Sequence, residues 1–410
     1  GGVRAGAHNG PFPATEVQIL MAEREKKHAE LAERYLPDDR LARFRERAAR
    51  HDEENSFFQD DFDELRACGY LTMLVPQEQG GAGISINQAA RLQQRLAGAA
   101  PATALGINMH LLCLAVARVM AGRGDQSVNY VFDEAMAGEV FAFGISEPAN
   151  DWVLQGSNTV AVPQEGGGYL LSGTKIFTSL SPVWTRLLVH GLDRSDASQP
   201  QVVYGFLPRG PQVSNVGEWD VMGMRATHSR VTVLKNAALA PERVARRIPA
   251  GDTPDLFTFA IAASFQLLMG SVYAGIARRA MALAVAGLRQ RKSARRGVPL
   301  SEVAGHRVHV ADTLRDFQAV AAQLDLYTRD LDECTDHGEG WALLLVSARI
   351  NASVAARRAV ETAMACAGGA SYTRTSELAR LQRDAMASLF HPPGADAARA
   401  RFEKALFDEA

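Results

Sequence analysis

The chain has 410 residues, of which 47% are hydrophobic and 22% charged, an ordinary globular composition that excludes a disordered, collagenous or coiled-coil protein. At roughly 150 residues per domain, this length predicts two or three folding units. Lys and Arg number 44 against 46 Asp and Glu, and the net charge of −2 provides no general attraction to nucleic acid or to an anionic membrane. We therefore expect a globular protein that binds neither.

The four cysteines, Cys68, Cys113, Cys334 and Cys366, are scattered, with no CxxC pair and no metal-ligand spacing. A disulfide framework needs far more cysteines in this length, so we expect a reducing, cytoplasmic compartment and no metal centre. The chain begins without Met and shows no signal-peptide pattern. Residues 1–14, rich in Gly, Pro and Ala, are expected to be a loose terminus or an expression remnant.

The first part of the chain is predicted to be helical. Residues 15–65 are charged and carry apolar residues at helical spacing. A loop follows at 77–83, where the glycines disfavour a helix. Helical spacing returns from Asn87 to Arg123. We therefore assign residues 15–138 to an N-terminal helical domain.

The pattern changes at Glu139 to short, partly alternating apolar segments. Gly, Pro, Asn and Asp separate these segments, which is typical of β-structure. The predicted strands are 140–146, 158–162, 169–172, 186–190, 202–207 and 230–234. Residues 139–245 are therefore predicted to form a middle β-domain.

Helical periodicity returns after Pro241 and continues to the end of the chain. The long helical segments lie near 255–290, 299–333, 340–366 and 374–390. Residues 256–277 carry no charge and are long enough to span a bilayer. Polar and small residues interrupt this run and no aromatic belt flanks it, so we expect a central helix buried in a bundle. Residues 246–410 are assigned to a C-terminal helical bundle, and the fold class is α+β, mainly helical.

Two further segments invite a phosphate-binding interpretation. Residues 168–175 (GYLLSGTK) resemble a P-loop, but the order is Gly-Thr-Lys and the segment lies in a predicted hairpin instead of opening a helix. No strand-bound GxGxxG occurs, so the sequence predicts no nicotinamide-binding domain. Residues 289–296 (RQRKSARR) hold five cations, for which a solvated helix end and a phosphate site both stay open.

Four segments in order resemble the acyl-CoA dehydrogenase superfamily. They are 65–81, 143–148 (FGISEP), 173–179 (GTKIFTS) with 219–229, and 368–384, which contains a Gly-Gly and an Arg-Asp pair. Each is weak alone, but their order and the helix–sheet–helix layout identify a member. The resemblance implies an N-terminal helical domain, a middle β-domain and a C-terminal helical bundle. It also implies FAD or FMN between β-domain and bundle, in a homotetramer or homodimer.

The resemblance further implies which residues hold the flavin. The strand at 143–146 would offer backbone N–H groups and a hydroxyl to the pyrimidine edge of the ring. Ser179 would donate near flavin N5, and Phe177 would form a flat wall. Either Arg291 or Arg295 would meet the pyrophosphate of a neighbouring subunit's flavin. The implied cofactor-binding residues are Phe143, Ile145, Ser146, Phe177, Ser179, Arg291, Arg295, Gly368 and Gly369.

The sequence departs from the dehydrogenase pattern at the catalytic base. An acyl-CoA dehydrogenase needs a carboxylate to remove the α-proton of its thioester. Pro392 stands at the usual Glu position, nine residues after Arg383, and Phe257 stands at the alternative position. The family's Gly-Ser-Asp is replaced at 149–151, which leaves the choice between FAD and FMN open.

Histidines stand near the missing Glu. His391 adjoins its position, and His110 lies on a helix expected to line the same pocket. This is similar to the oxygen-using branch of the superfamily, which includes para-hydroxyphenylacetate hydroxylase and dibenzothiophene monooxygenase. Those enzymes take flavin reduced by a separate reductase. A histidine can deprotonate a phenol, amine or thiol, or donate a hydrogen bond. The predicted catalytic residues are His391, His110 and Ser179.

Structural roles are the alternative for these residues. His110 alone is more often a core residue than a catalytic one. Glu147, Asp151 and Asp384 are carboxylates near the matched motifs, and we expect Glu147 and Asp384 to hold loops or helix ends.

We expect a flavin-dependent oxidoreductase. A reduced-flavin monooxygenase, of hydroxylase or N-oxygenase type, acting on a small organic substrate is the favoured hypothesis. An acyl-CoA or acyl-carrier-protein dehydrogenase with a non-standard base is the second. A non-catalytic flavin-binding scaffold is the third.

Overall fold

The structure, a computed structural model, describes residues 16–408, so the prediction for residues 1–14 lies outside the described residues. The N-terminal part is helical, as predicted. Its helices are α1 (Glu16–Tyr35), α2 (Asp38–Glu54), α3 (Gln59–Ala67), α4 (Ile86–Ala97), α5 (Pro101–Gly122) and α6 (Tyr130–Met136). Helix α5 is apolar and almost entirely buried, and it packs against α4, α7 and β1.

The middle part forms one mixed sheet. Its strands are β1 (Phe141–Gly144), β2 (Val160–Pro163), β3 (Tyr169–Thr178), β4 (Arg186–Asp193), β5 (Gln201–Pro208), β6 (Val213–Val216), β7 (Arg230–Leu239) and β8 (Val244–Pro249). The order is β6-β7-β3-β2-β4-β5-β8, and β1 pairs in parallel with β4. The sequence prediction missed β6 and β8. Because β8 pairs with β5, the sheet continues to Pro249, past the predicted domain boundary at 245.

The C-terminal part is a bundle built around one long helix. Its helices are α7 (Leu256–Gln290), α8 (Ala304–Asp332), α9 (Trp341–Ala367), α10 (Glu377–Met386) and α11 (Ala395–Phe407). Helix α7 packs against α9, α8, α5 and α4. By length and composition α5 and α7 could each cross a membrane, but most of each helix is buried inside the protein. The prediction of a buried central helix is confirmed, and so is the α+β, mainly helical fold class.

A loop of the β-domain docks onto the bundle. A Cβ on Gly223 would lie only 2.1 Å from the backbone oxygen of Arg383, so this contact requires glycine. The next residue, Met224, donates its N–H to the carboxylate of Asp384 at 2.6 Å. The Arg383 guanidinium binds both carboxylate oxygens of Asp52 on α2, at 2.7 and 2.5 Å. All three parts of the chain therefore meet at α10.

Candidate active site

A cavity of about 330 Å³ lies where α5, the sheet, α7 and the segment after α10 meet. Its wall is mostly apolar. The main lining residues are Leu105, Met109, Phe143, Ser146, Phe177, Ser179, Trp219, Met222, Met224, Thr227, Ser229, Phe265, Met269, Arg383, Phe390, His391 and Pro392. Within residues 16–408, no Asp or Glu lines this cavity, and its only cation, Arg383, is paired with Asp52.

The end of β3 brings two of the predicted flavin residues to the cavity. Pairing with β7 is irregular between Lys175 and Thr178, and Phe177 has a φ of +55°, which is unusual for a bulky side chain. Backbone strain of this kind clusters at functional sites. The half-exposed Phe177 ring packs edge-on against Trp219, with centroids 6.4 Å apart, while Ser179 is buried in the wall. The bulge therefore separates a flat aromatic surface from a buried hydroxyl.

Three buried hydroxyls form a hydrogen-bonded chain in the same wall. The Ser179 Oγ lies 2.6 Å from the Ser229 Oγ, which lies 2.7 Å from the Thr227 Oγ1. The Thr227 hydroxyl donates to the backbone oxygen of Met224 at 2.8 Å. This hydroxyl chain was missed by sequence reasoning, although the polar alternation of Thr227 and Ser229 within the matched 219–229 segment was a usable signal.

His391 lies across the cavity on the segment after α10. Its Nε2 is 2.5 Å from the Tyr273 hydroxyl of α7, and its ring packs edge-on to Phe265. Burial and the nearby Arg349 charge lower the pKa of His391 to about 3, so the ring is neutral. Burial raises the pKa of Tyr273, which stays protonated. We assign the phenol as the donor to Nε2, its only described partner, which places the proton of the histidine on Nδ1.

The Nδ1–H of His391 makes no hydrogen bond to any residue that the structure describes, which leaves this donor for a molecule in the cavity. Tyr273, which fixes the tautomer, was not predicted. Its only sequence signal is a phenol within the uncharged run at 256–277.

The segment that carries His391 is held from behind by α7 and α9. Gln266 donates to the Pro392 oxygen at 3.0 Å, and Arg349 donates to the Pro393 oxygen at 2.5 Å. Arg349 also donates to the Gln266 side chain at 2.5 Å. Burial lowers the pKa of Arg349 to about 10, so it remains charged at neutral pH. These contacts fix the backbone on which the histidine is mounted.

His110, predicted as catalytic, has a structural role instead. Its Nδ1 accepts the N–H of Phe141 at 3.0 Å, and its Nε2 donates to the Leu71 oxygen at 2.8 Å. Complete burial lowers its pKa to about 4. The ring is not among the residues that line the cavity, against the expectation for its helix, and both of its nitrogens are bonded, so the structure offers no support for the predicted catalytic role of His110. It joins α5 to β1.

The carboxylates near the matched motifs also hold structure. Glu147 binds the buried Lys175 ammonium at 2.7 Å and accepts two hydrogen bonds from Thr159. Burial alone would raise the pKa of Glu147. The charges of Lys175 and His190 and the hydrogen bonds from Lys175 and Thr159 together outweigh burial and lower the pKa to about 2. Asp384 holds the Met224 loop, as described above. The expectation that Glu147 and Asp384 hold loops is confirmed, and Asp151 is exposed.

Of the two positions at which the family carries its catalytic Glu, one lies at the cavity and the other lies away from it. Pro392 lines the cavity, so the lost base would have faced it. Phe257 is buried against Tyr204 of β5, with ring centroids 5.6 Å apart. From α7 it is Phe265 and Met269 that face the cavity instead.

The remaining predicted cofactor residues lie outside the cavity wall of this single chain. Arg291 follows α7, is exposed and donates to the Cys366 oxygen at 2.7 Å. It lies beside Gly368, whose φ of +72° favours glycine. Arg295 is exposed, Gly369 follows Gly368, and the Ile145 side chain is buried. Contact of these residues with a flavin stays a prediction, and so does the binding of a neighbouring subunit's pyrophosphate by Arg291 or Arg295.

Two family models match the chain. The model of the acyl-CoA dehydrogenase N-terminal domain matches residues 29–133, and that of the acyl-CoA dehydrogenase C-terminal domain matches residues 267–392. Together they cover more than half of the chain. The chain belongs to the acyl-CoA dehydrogenase superfamily. It is an enzyme, a flavoprotein oxidoreductase of this superfamily.

Similar proteins include both oxygenases and a dehydrogenase. The chain is 27% identical to L-evernosamine nitrososynthase of Micromonospora sp. over 86% of this chain and 84% of that protein. It is 27% identical to the putative acyl-CoA dehydrogenase YdbM of Bacillus subtilis, over 86% and 91% of the two chains. A dibenzothiophene monooxygenase of Rhodococcus erythropolis is 27% identical over 53% of each chain.

Solved structures give the same fold. KijD3 in complex with FMN and a dTDP-linked amino sugar is 25% identical, with a TM-score of 0.76, covering 97% of this chain and 95% of that one. Butyryl-CoA dehydrogenase of Megasphaera elsdenii is 19% identical, with a TM-score of 0.80, covering 97% of this chain and all of that one.

The cavity wall fits the ring of a flavin. Phe143 and Phe177 offer flat apolar surfaces, and Ser146 and Ser179 offer hydroxyls to the polar edge of such a ring. Aromatic faces with a few fixed polar groups are typical of cofactor sites.

Proposed function

We propose that this protein is a reduced-flavin monooxygenase that acts on a small, largely apolar organic molecule. The observation that carries the proposal is a cavity with no carboxylate in its described wall. It is lined instead by the neutral His391, whose Nε2 is bonded to Tyr273 and whose Nδ1 has no partner among the described residues. An acyl-CoA dehydrogenase needs a base strong enough to remove an α-proton. His391, with a pKa of about 3, is too weak a base for that step.

His391 is a catalytic donor in this proposal. Its Nδ1–H orients the reacting oxygen, nitrogen or sulfur of the substrate, or supplies a hydrogen bond to the oxygen being transferred. Tyr273 keeps the proton on Nδ1, and Arg349 with Gln266 keeps the ring in place. Phe265 and Met269 exclude water beside it.

Phe143, Ser146, Phe177 and Ser179 would hold the flavin ring. When bound in its reduced form, the flavin supplies the electrons with which one atom of dioxygen is inserted into the substrate. We propose FMN or FAD as the cofactor, FMN being the flavin bound to the related KijD3. A separate reductase delivers the reduced flavin. The enzyme assembles as a homotetramer or homodimer. Its four cysteines are free, which is typical of a cytoplasmic protein.

The wall also limits the substrate class. Arg383, the cation of the described wall, is neutralised by Asp52, so no free positive charge there binds a phosphate. Leu105, Met109 and Phe390 make the remaining wall apolar. We propose an aromatic, heteroaromatic or amine substrate with one polar reacting atom.

The test supplies flavin reduced under anaerobic conditions, then ¹⁸O₂, and a panel of phenols, indoles, thiophenes and amines. We expect one ¹⁸O atom in a product of the wild-type protein. His391→Ala should lower product formation at least tenfold and raise hydrogen peroxide release. His309→Ala, an exposed histidine on α8, is the matched control and should behave like the wild type. An unchanged product yield in His391→Ala would contradict the assigned role.

A thioester dehydrogenase is the second candidate, because YdbM is as similar to the chain as the nitrososynthase is. Anaerobic mixing of the flavin-loaded protein with acyl-CoAs of several chain lengths separates the two. Prompt bleaching of the flavin absorbance would overturn the monooxygenase proposal. We expect no bleaching.

A further inference from the structure

We propose that the hydroxyl chain of Ser179, Ser229 and Thr227 fixes Ser179 as a hydrogen-bond acceptor, so that the cavity prefers reduced over oxidised flavin. The inference rests on the proposed function, since it assumes that the ring of a flavin lies against Ser179. It adds Ser229 and Thr227 as positioning residues that act through Ser179.

The direction of the chain is set at its inner end. A backbone carbonyl can only accept a hydrogen bond, so the Thr227 hydroxyl must donate to the Met224 oxygen, 2.8 Å away. The single proton of Thr227 is then used. Its oxygen can only accept from its other neighbour, the Ser229 hydroxyl at 2.7 Å.

The same argument carries the direction outward to the cavity. Ser229 spends its proton on Thr227 and therefore accepts from Ser179, whose Oγ lies 2.6 Å away. The three residues are between 1% and 5% exposed, which limits exchange of these partners for water. With its proton directed inward, Ser179 offers only lone pairs to a molecule in the cavity.

The two redox forms of a flavin differ at the atom that would meet this hydroxyl. N5 of the oxidised ring has no proton and needs a donor, whereas N5 of the reduced ring carries a proton and can donate. Ser179 as an acceptor therefore matches the reduced form. Turning Ser179 around while keeping the chain bonded would require all three hydroxyls to reverse. The buried Met224 oxygen would then lose the Thr227 hydroxyl, the shorter of its two donors, and keep only the Thr227 N–H at 3.1 Å, which is unfavourable.

The consequence for the enzyme is selective loading. The cavity retains the flavin that a reductase delivers and releases it once it is oxidised, so oxidised flavin does not block the site. Selectivity of this kind needs no contact with the reductase.

The experiment measures dissociation constants for oxidised and for anaerobically reduced FMN, and the midpoint potential of the bound flavin. FAD is measured in the same way. Thr227→Val removes the donor to Met224, and Ser229→Ala removes the middle oxygen, so both free Ser179 to donate. Thr313→Val is the matched control, because this buried Thr on α8 also donates to a backbone oxygen, that of His309, and lies outside the cavity wall.

The wild-type protein should bind reduced flavin at least tenfold more tightly than oxidised flavin. Thr227→Val and Ser229→Ala should each lower that ratio about fivefold to tenfold, because this factor corresponds to the free energy of one neutral buried hydrogen bond. A tenfold loss corresponds to a midpoint potential more negative by about 30 mV. The Thr313→Val ratio should equal that of the wild type. If Thr227→Val does not fold, Ser229→Ala decides the result alone.

Two failures are distinguishable. If the wild-type protein binds flavin but both variants keep its ratio, the hydroxyl chain does not set the preference and the inference is overturned, while the monooxygenase proposal stands. If the wild-type protein binds neither redox form, both the proposed function and the inference fall.

Discussion

Two groups of buried polar residues in this protein have opposite properties. The sheet cluster, formed by Glu147, Lys175 and His190, lies inside the β-domain. The cavity pair, Ser179 and His391, lies on facing walls of the cavity. The sheet cluster contains the stronger charges and the more perturbed acid, yet every donor of its lysine is used. The cavity pair is uncharged, and each member keeps one unused hydrogen-bonding function.

The two groups differ in how many hydrogen-bond donors and acceptors are left without a partner inside the protein. Lys175 donates to Glu147 at 2.7 Å and to the His190 oxygen and Nδ1 at 2.7 and 2.9 Å, which exhausts its three protons. His391 has a donor left over, and Ser179 has lone pairs left over. A strongly shifted pKa marks burial and pairing, whereas unfilled hydrogen-bonding capacity at a cavity marks the site.

The largest expected effect is the loss of the sheet cluster. Lys175→Met leaves Glu147 buried without its counter-ion, which typically destabilises a protein by about 3–5 kcal/mol. Urea unfolding of Lys175→Met measures this loss of stability. Lys235→Met is the control, because Lys235 is exposed on the same sheet. If both variants unfold at the same urea concentration, the cluster does not hold the domain.

Substitution of His110 should lower stability without lowering product yield, unlike substitution of His391. His110→Phe fills a similar volume but leaves the Phe141 N–H and the Leu71 oxygen unpaired, so we expect a loss of about 2 kcal/mol in the free energy of unfolding. Flavin binding and product yield per folded molecule should stay at the wild-type level. A selective loss of product without loss of stability would return His110 to the list of catalytic residues.

The pH dependence of stability should follow the same histidine. The pKa of His110 is lowered from an ordinary value of 6.5 to about 4, so between these values the unfolded chain binds a proton that the folded chain does not. Stability therefore falls as pH drops from 6.5 toward 4, by about 1.4 kcal/mol per pH unit from this group. Chemical unfolding at pH 6.5, 5.5 and 4.5 gives the change in the free energy of unfolding with pH. In His110→Phe this change should be smaller by the contribution of one proton. Equal slopes in the two proteins would contradict this assignment.

The smallest expected effect concerns the tautomer of His391. Tyr273→Phe removes one buried hydrogen bond and should cost about 1 kcal/mol of stability or less. Because Nε2 can then hold the proton, product yield should fall about fivefold while peroxide release rises. Tyr327→Phe on α8, remote from the cavity wall, is the control. A yield equal to that control would mean that the tautomer is set by other groups.

Much of the fold follows from local pattern. The long helix α7 and six of the eight strands were predicted, because burial on all sides and alternation both leave a signal in the sequence. Strand β6 has two adjacent polar residues, Ser214 and Asn215, between its valines and so shows no alternation. Strand β8 contains Arg246 and Arg247, whose charges hide its apolar residues. Its pairing with β5, not its own pattern, makes it a strand.

The candidate site was predicted by residue type but not by partner. Ser179 and His391, chosen by their motif positions, both line the cavity. The roles of His110 and Ser229 depend on atoms distant in sequence, the Leu71 oxygen in one case and the Ser179 hydroxyl in the other. A single sequence does not encode which backbone oxygen will lie 2.8 Å from a ring nitrogen, so those roles required the structure.

The docking of Gly223 and Met224 against α10 has a consequence for cooperativity. One wall of the cavity belongs to the β-domain and the facing wall to the bundle, so a molecule bound there contacts both and is lost when they separate. Its binding free energy then opposes partial opening of the chain as well as global unfolding. Saturating flavin should therefore protect the 219–229 loop from proteases and merge the thermal transitions of sheet and bundle into one.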